Sequence, residues 1–197
     1  MNDFYVIVDA GHGGTSLGTG GNGFFEKDLN LKISKYMYER FKELGIPVAL
    51  TRSMDETLSK EERLRRINNA YGKDEDVILI SNHLNTSQTP NTAEGAEVIY
   101  ALRNEETLAK NVLNALSNAG QITRGIYQKR LDENPNLDYY FIHRETNKNI
   151  EPIIIEYGFI NNSADVKRIT ENYRKYVDAV VNAVIDTRRG KNVSKEQ

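Results

Sequence analysis

The sequence alternates short apolar runs with longer amphipathic segments, and this alternation constrains the fold more than any other feature. Runs rich in β-branched residues predict strands, which we place at 4–8, 46–50, 76–81, 96–102, 139–144 and 153–155. Apolar residues at helical spacing predict helices, which we place at 28–44, 60–71, 105–119 and 173–188. We therefore predict an α/β fold, with a twisted, mostly parallel sheet of about six strands flanked by helices on both faces.

The composition bounds the class of protein. A domain usually takes ~150 residues, so the 197 residues predict one domain over 1–188, with 189–197 as a polar tail or the start of a linker. The 26 Lys and Arg nearly balance the 28 Asp and Glu, which argues against nucleic acid as a partner. No apolar run approaches the ~20 residues that cross a bilayer, so we expect no membrane partner. The chain has no cysteine, which excludes disulfides, a thiol nucleophile and cysteine-based zinc sites.

Chemically capable side chains follow three of the predicted strands, near the point where each strand ends. These residues are His12, His83 and Glu156. In parallel sheets the carboxyl ends of the strands meet at one edge, and ligands bind there. Taken singly, each residue has an ordinary interpretation as a loop histidine or a solvated carboxylate. Because the three occupy matching positions, we predict that they converge at one site.

A glycine-dense loop joins His12 to the first helix. Seven glycines lie between Gly11 and Gly23, which excludes a helix or strand interior there. The loop lacks the ending of a phosphate-binding loop and the spacing of a dinucleotide-binding loop. Two imidazoles and one carboxylate form a catalytic zinc set that leaves a position for water. The carboxylate is either Glu26, which stands before the helix, or Asp28, which is better placed to cap it.

Five sequence blocks, in this order and spacing, resemble the zinc-dependent N-acetylmuramoyl-L-alanine amidases of bacterial autolysins and phage endolysins, the amidase-3 family. The blocks are VDAGHGG at 8–14, EKDLN at 26–30, LTR at 50–52, SNHLN at 81–85 and IEYGFINN at 155–162. One block alone carries little weight, whereas five in order are specific. The resemblance spans nearly the whole chain, and the family's fold is a single α/β domain with a mostly parallel sheet.

The resemblance implies the chemistry of the site residue by residue. His12, Glu26 and His83 match the family's zinc ligands, which bind one zinc ion per chain. Glu156 matches the catalytic general acid/base. The implied enzyme is an N-acetylmuramoyl-L-alanine amidase, a peptidoglycan hydrolase. It hydrolyses the amide bond between the lactyl group of N-acetylmuramic acid and the L-alanine of the stem peptide, with zinc-bound water as nucleophile.

Several residues lie outside the family's pattern or outside its ligand set. Asn82 stands where relatives often have Ile, and strand alternation turns it away from His83. His143 matches no ligand position, and we assign it a surface or packing role. Asn85 and Arg144 are candidate substrate-binding residues, Arg144 for a stem-peptide carboxylate or the oxyanion.

The resemblance also implies where the chain works and with what. We expect peptidoglycan as the partner, a monomer, and a wall-binding module beyond the C-terminus. We expect action at the bacterial cell wall, after secretion or after release of a phage-encoded protein at lysis, although no signal peptide is visible in this chain. The stretch 85–95 is short and polar, unlike the long insert that plugs the zinc cleft in some relatives, so we expect an open cleft.

Three other interpretations remain open from the sequence. A zinc peptidase that cuts within the stem peptide would use the same metal chemistry on a different bond, and the products distinguish it. A non-catalytic peptidoglycan-binding domain would be expected if a ligand or Glu156 had been lost, and all four are present. An α/β domain with incidental histidines would bind no stoichiometric zinc.

Overall fold

The computed structural model describes residues 4–193. Its strands are β1 (Tyr5–Ala10), β2 (Gly20–Gly21), β3 (Phe24–Phe25), β4 (Val48–Leu50), β5 (Val77–Asn85), β6 (Ala96–Tyr100), β7 (Thr123–Tyr127) and β8 (Ile150–Phe159). Its helices are α1 (Glu26–Glu43), α2 (Lys60–Asn68), α3 (Thr107–Asn118), α4 (Phe141–Arg144) and α5 (Ser163–Val193). The predicted α/β class is therefore confirmed.

Six strands form one sheet in the order β4-β1-β5-β8-β6-β7. The pairs β4–β1, β1–β5, β5–β8 and β6–β7 are parallel, whereas β6 runs antiparallel to β8. The small β2–β3 hairpin stands apart from this sheet, at the end of the glycine-dense loop. The prediction of a mostly parallel sheet of about six strands is correct.

Alternating side chains of the strands face two different layers of helices. Val6 and Val8 belong to the larger core cluster, together with apolar residues of α1, α3 and α5. Ile7 lies on the opposite face, in a smaller cluster with Ile67 of α2 and Ile142 of α4. Both faces of the sheet are thus covered, as parallel strands require.

The segment 139–144, which the sequence predicts as a strand, is not one. Residues 141–144 form the short helix α4, closed by the bond from the Glu145 amide to the Phe141 carbonyl at 2.8 Å. Ile142 and His143, two residues of the run that suggested a strand, are instead buried as part of this helix. Strand propensity reflects packing context, and here the tertiary context overrides it.

The last helix is longer than the sequence pattern indicates. Asn162 caps its first turn, where the Asn162 Oδ1 accepts bonds from the amides of Ala164 and Asp165 at 2.9 and 3.1 Å. At the other end α5 continues through Val193, so residues 189–193 of the predicted tail are helical, and 194–197 lie outside the described residues. No helix in the part of the chain that the structure describes is long and apolar enough to span a membrane.

Candidate active site

The sheet order brings the three predicted strand ends together. Strands β1, β5 and β8 are neighbours, and in the β5–β8 register His83 lies opposite Glu156. His12 follows β1 within two residues, at the same carboxyl edge. The convergence predicted from the sequence is therefore correct, and it follows from the parallel pairing of these three strands.

Glu26 completes a group of three potential metal ligands. As the first residue of α1 it turns inward, with its Oε1 2.9 Å from the Nδ1 of His83 and its Oε2 3.3 Å from the Nε2 of His12. One ligand atom from each of the three residues lies within 4.8 Å of the others. Asp28, the alternative considered from the sequence, is exposed and does not belong to this group.

This donor set fits a zinc ion. Catalytic zinc sites commonly hold two imidazoles and one carboxylate, and keep a position open for water or substrate. Zinc bonds of about 2.1 Å at tetrahedral angles place neighbouring ligand atoms about 3.4 Å apart. The upper limit of 4.8 Å on the spacing of the three ligand atoms leaves them able to reach such positions by small side-chain movements.

The charges of the group also suit a cation. Burial alone would raise the pKa of Glu26, but hydrogen bonds from His12 and His83 outweigh burial and hold it well below the ordinary range. Burial opposes a charge on His83, yet the bond to Glu26 and the nearby Glu156 raise the pKa of that imidazole. Glu26 is therefore a carboxylate, as a metal ligand must be.

Two buried arginines hold the loop that presents His12. The backbone of His12 has φ of 59°, a left-handed conformation that non-glycine residues rarely adopt. Arg63 donates to the His12 carbonyl at 2.8 Å, and Arg52 donates to the Gly11 carbonyl at 2.9 Å. The His12 Nδ1 lies 3.1 Å from the Ser16 Oγ, a contact that orients the ring.

Asp9 anchors one of these arginines beneath the site. Its buried carboxylate accepts bonds from Arg63, from the Ser81 hydroxyl at 2.6 Å and from the Thr51 hydroxyl at 2.6 Å. Burial would raise the pKa of Asp9, but these partners together lower it. This buried network was not predicted from the sequence. Asp9, Thr51 and Ser81 each lie in one of the five blocks, whereas Arg63 lies outside them.

Glu156 stands beside the metal group without joining it. Burial raises its pKa to about 7; His83 opposes this shift, while Glu26 and Glu97 add to it. Among the described residues, its Oε2 has no hydrogen-bond partner. Glu97 lies directly opposite Glu156 in the antiparallel β6–β8 pair. A buried carboxyl group that titrates near neutral pH has the properties of a general acid/base.

A cavity of about 310 Å³ contains both parts of the site. His12, His83 and Glu156 line it, and so do Leu58 and Phe141. The open cleft expected from the sequence stays a prediction.

The two candidate substrate-binding residues have bonding partners outside the metal group. The Asn85 amide donates to Glu97 at 2.9 Å, so Asn85 lies next to the neighbour of Glu156. The Arg144 guanidinium donates to the carbonyls of Asp138 and Tyr139 at 2.7 and 3.0 Å. Neither residue lines the cavity, and their roles in substrate binding stay predictions.

Two further sequence predictions concern side-chain direction. Asn82 does turn away from His83: its amide donates to the Ser34 hydroxyl at 2.8 Å, and it accepts from the Tyr157 hydroxyl at 3.1 Å. His143 is fully buried in α4, so of the two roles predicted for it the structure supports packing.

Known proteins are similar to this chain in both sequence and fold. The family model described as N-acetylmuramoyl-L-alanine amidase matches residues 6–186. The uncharacterized protein YqiI of Bacillus subtilis (strain 168) is 33% identical over 186 residues, which cover 91% of this chain and 82% of YqiI. The N-acetylmuramoyl-L-alanine amidase LytC of the same strain is 28% identical over 92% of this chain, but the match spans only 34% of LytC.

A solved structure extends the likeness to three dimensions. The N-acetylmuramoyl-L-alanine amidase from Clostridium difficile 630 superposes with a TM-score of 0.79 at 30% identity, over 94% of this chain and 97% of that one. The family match covers all five sequence blocks and every residue of the site described above. The chain therefore belongs to the N-acetylmuramoyl-L-alanine amidase family, amidase-3.

Proposed function

We propose that this chain hydrolyses the amide bond between the lactyl group of N-acetylmuramic acid and the L-alanine of the peptidoglycan stem peptide. The observation that carries the proposal is the convergence, in a member of this family, of a three-ligand group with a buried carboxyl group in one cavity. His12, Glu26 and His83 hold a zinc ion in this proposal, and Glu156 is the general acid/base.

Each part of the site has a chemical role in the proposed reaction. Zinc, when bound, supplies Lewis-acid chemistry that polarises a carbonyl group and acidifies water. Glu26 keeps its negative charge and holds both histidines in place. The cavity seats the substrate amide beside Glu156 and limits the access of bulk water.

Glu156 carries the proton in this scheme. Its unpartnered Oε2 takes a proton from the attacking water, and the same carboxyl group returns that proton to the departing L-alanine nitrogen. A pKa near 7 suits both transfers, because the group is then neither too weak a base nor too weak an acid.

The proposed substrate places the reaction at the bacterial cell wall. LytC and the probable cell wall amidase LytH of Staphylococcus epidermidis are longer than this chain, whose match covers 34% and 56% of their lengths. We propose that this chain acts on the wall as a catalytic domain, after secretion or after release at lysis. A monomeric state and a wall-binding module beyond residue 197 stay predictions.

Mass spectrometry of soluble products tests the reaction. Purified protein is incubated with peptidoglycan, with and without a chelator and then with added zinc. We expect free stem peptides that begin at L-alanine, lost on chelation and restored by zinc. Products cut elsewhere in the stem would favour the peptidase interpretation, and the absence of products from several peptidoglycan types would favour a binding domain.

A further inference from the structure

The wall of the cavity combines apolar side chains with a lysine. Leu58, Phe141 and Ile142 line the cavity, together with Lys60. The Lys60 ammonium lies 5.8 Å from the centre of the Phe141 ring, and its side chain is 43% exposed. The cavity therefore offers a small apolar surface beside a positive charge.

Lys60 shares its carboxylate partner with an arginine. The Nζ of Lys60 and the Nη2 of Arg144 lie 2.6 and 2.9 Å from the same Oε1 atom of Glu145. One carboxylate is thus shared by two cations. When Lys60 turns toward a ligand, Arg144 keeps Glu145 paired, so the exchange leaves no carboxylate without a partner.

Lys60 is free to move, whereas the arginine that lines the same cavity is not. Arg63 is buried and bonded to Asp9 and to the carbonyls of Ala10 and His12. Lys60 is bonded only at its tip and carries its charge on a flexible four-carbon stem. Of the Lys and Arg residues along the described cavity wall, Lys60 is the one that can reach a ligand.

We infer that Lys60 binds a carboxylate on the peptide part of the substrate, beside the apolar side chains of Leu58 and Phe141. This inference rests on the proposed function and adds a preference to it. A stem peptide with a free carboxylate next to its L-alanine binds more tightly than one with a carboxamide there. The apolar wall strengthens the attraction, because it removes water from around the two charges.

Isothermal titration calorimetry with two matched ligands tests the inference. The ligands are N-acetylmuramoyl-L-alanyl-D-isoglutamate and its D-isoglutamine counterpart, both with the γ-carboxyl group blocked as a methylamide, added to zinc-loaded Glu156→Gln protein so that turnover does not interfere. We expect the acid to bind about five-fold more tightly than the amide, as for a favourable, partly exposed ion pair.

Variants of Lys60 assign that preference to the side chain. Lys60→Met lowers the affinity for the acid to that for the amide, whereas Lys60→Arg retains a preference for the acid. Lys110→Met is the control, because Lys110 is an exposed lysine on α3, outside the cavity wall, that pairs with Glu106 as Lys60 pairs with Glu145. The control keeps the full preference.

Equal or undetectable binding of the two ligands would overturn the inference, as would a preference that Lys60→Met leaves unchanged. Turnover of the two ligands by the wild-type protein is measured separately. If neither is cleaved, the proposed reaction is wrong for these substrates, while the calorimetry still decides the role of Lys60.

Discussion

At the scale of single residues, Glu26 contacts both other members of the metal group. Its two carboxylate oxygens each face one histidine, and the amides of Thr19 and Leu84 donate to them at 2.9 and 3.2 Å. Spacing in the sequence left Glu26 and Asp28 as alternatives, since a helix start can present either residue. The structure separates them by burial: Glu26 is buried and Asp28 is exposed.

Substitution of Glu156 tests the division of labour between this residue and the ligands. We expect Glu156→Gln to lower kcat by about 100-fold or more, because a carboxamide can neither accept nor return the proton. Zinc content stays at one ion per chain, since Glu156 is not in the ligand group. Activity against peptidoglycan and the zinc-to-protein ratio check both expectations.

The exposed Glu106 is the matched control for this substitution. Glu106→Gln keeps the activity and the zinc content of the wild-type protein. Near-normal activity of Glu156→Gln, or loss of its zinc, would contradict the role assigned to Glu156.

The two arginines Arg63 and Arg65 are neighbours on α2 with opposite environments. Arg63→Met leaves the buried Asp9 carboxylate without its cation, which costs about 3–5 kcal/mol of unfolding free energy. Arg65→Met removes a largely exposed pair with Glu62, which water screens, so its effect on the unfolding free energy is far smaller. Urea denaturation of the two variants measures the difference.

The same comparison separates stability from positioning. Because Arg63 also holds the His12 carbonyl, Arg63→Met weakens zinc binding, and Arg65→Met does not. Zinc affinities measured by chelator competition under conditions where both variants are folded check this. Equal zinc affinities would show that Arg63 does not position His12.

At the scale of whole elements, the shape of the glycine-dense loop decides where His12 and Glu26 meet. Gly18 has φ of +68°, and a Cβ there would lie 2.5 Å from the Glu26 Oε2 and 2.8 Å from the His12 Cδ2. The sequence predicted a shaped loop from its glycine content. It could not predict which glycine touches the site, since that depends on the path of the loop in space.

Alanine substitutions at two glycines test this contact. Gly18→Ala and Gly23→Ala both cost about 1 kcal/mol of stability, because both positions have positive φ. Only Gly18→Ala displaces ligands, since a Cβ at Gly23 meets nothing within 4 Å. We expect Gly18→Ala to lower zinc affinity about 10-fold or more, and Gly23→Ala to leave it unchanged. Isothermal titration calorimetry with zinc measures both, and equal losses would contradict the contact.

The order of the strands in the sheet cannot be predicted from local sequence patterns. The apolar runs of β1, β5 and β8 were predicted, and their matching ends placed His12, His83 and Glu156 together. The strand β7 and the antiparallel direction of β6 were not predicted, because both depend on partners far along the chain. Glu97 and its position opposite Glu156 were missed for the same reason.

At the scale of the whole molecule, the pH dependence of the free energy of unfolding reports on the burial of titratable groups. His143 is fully buried, and burial lowers its pKa to about 3, with the Arg103 charge acting in the same direction. Its neighbour Asp138, with an Oδ1 3.9 Å from the His143 Nδ1, has a pKa raised by burial. The neutral imidazole is therefore the folded form at all but acidic pH.

Acid unfolding is the expected result. The unfolded chain binds a proton at His143 near pH 6.5 and the folded chain does not. The contribution of His143 to the free energy of unfolding is therefore full above pH 6.5 and is lost as the pH decreases toward 3. The loss from this residue is about 1.4 kcal/mol per pH unit within that window. His143→Leu removes this contribution, and urea denaturation between pH 4 and 7 compares the slopes. Identical slopes for the two proteins would contradict a buried neutral His143.

The position of β8 decides when, during synthesis, the sheet and the site can form. β8 is the last strand in the chain, yet it lies in the sheet between β5 and β6. Until residue 159 leaves the ribosome, a nascent chain has unpaired edges on both of those strands and contains no complete site. The histidines are made early and Glu156 late, so the four residues of the site can meet only after β8 has been synthesised.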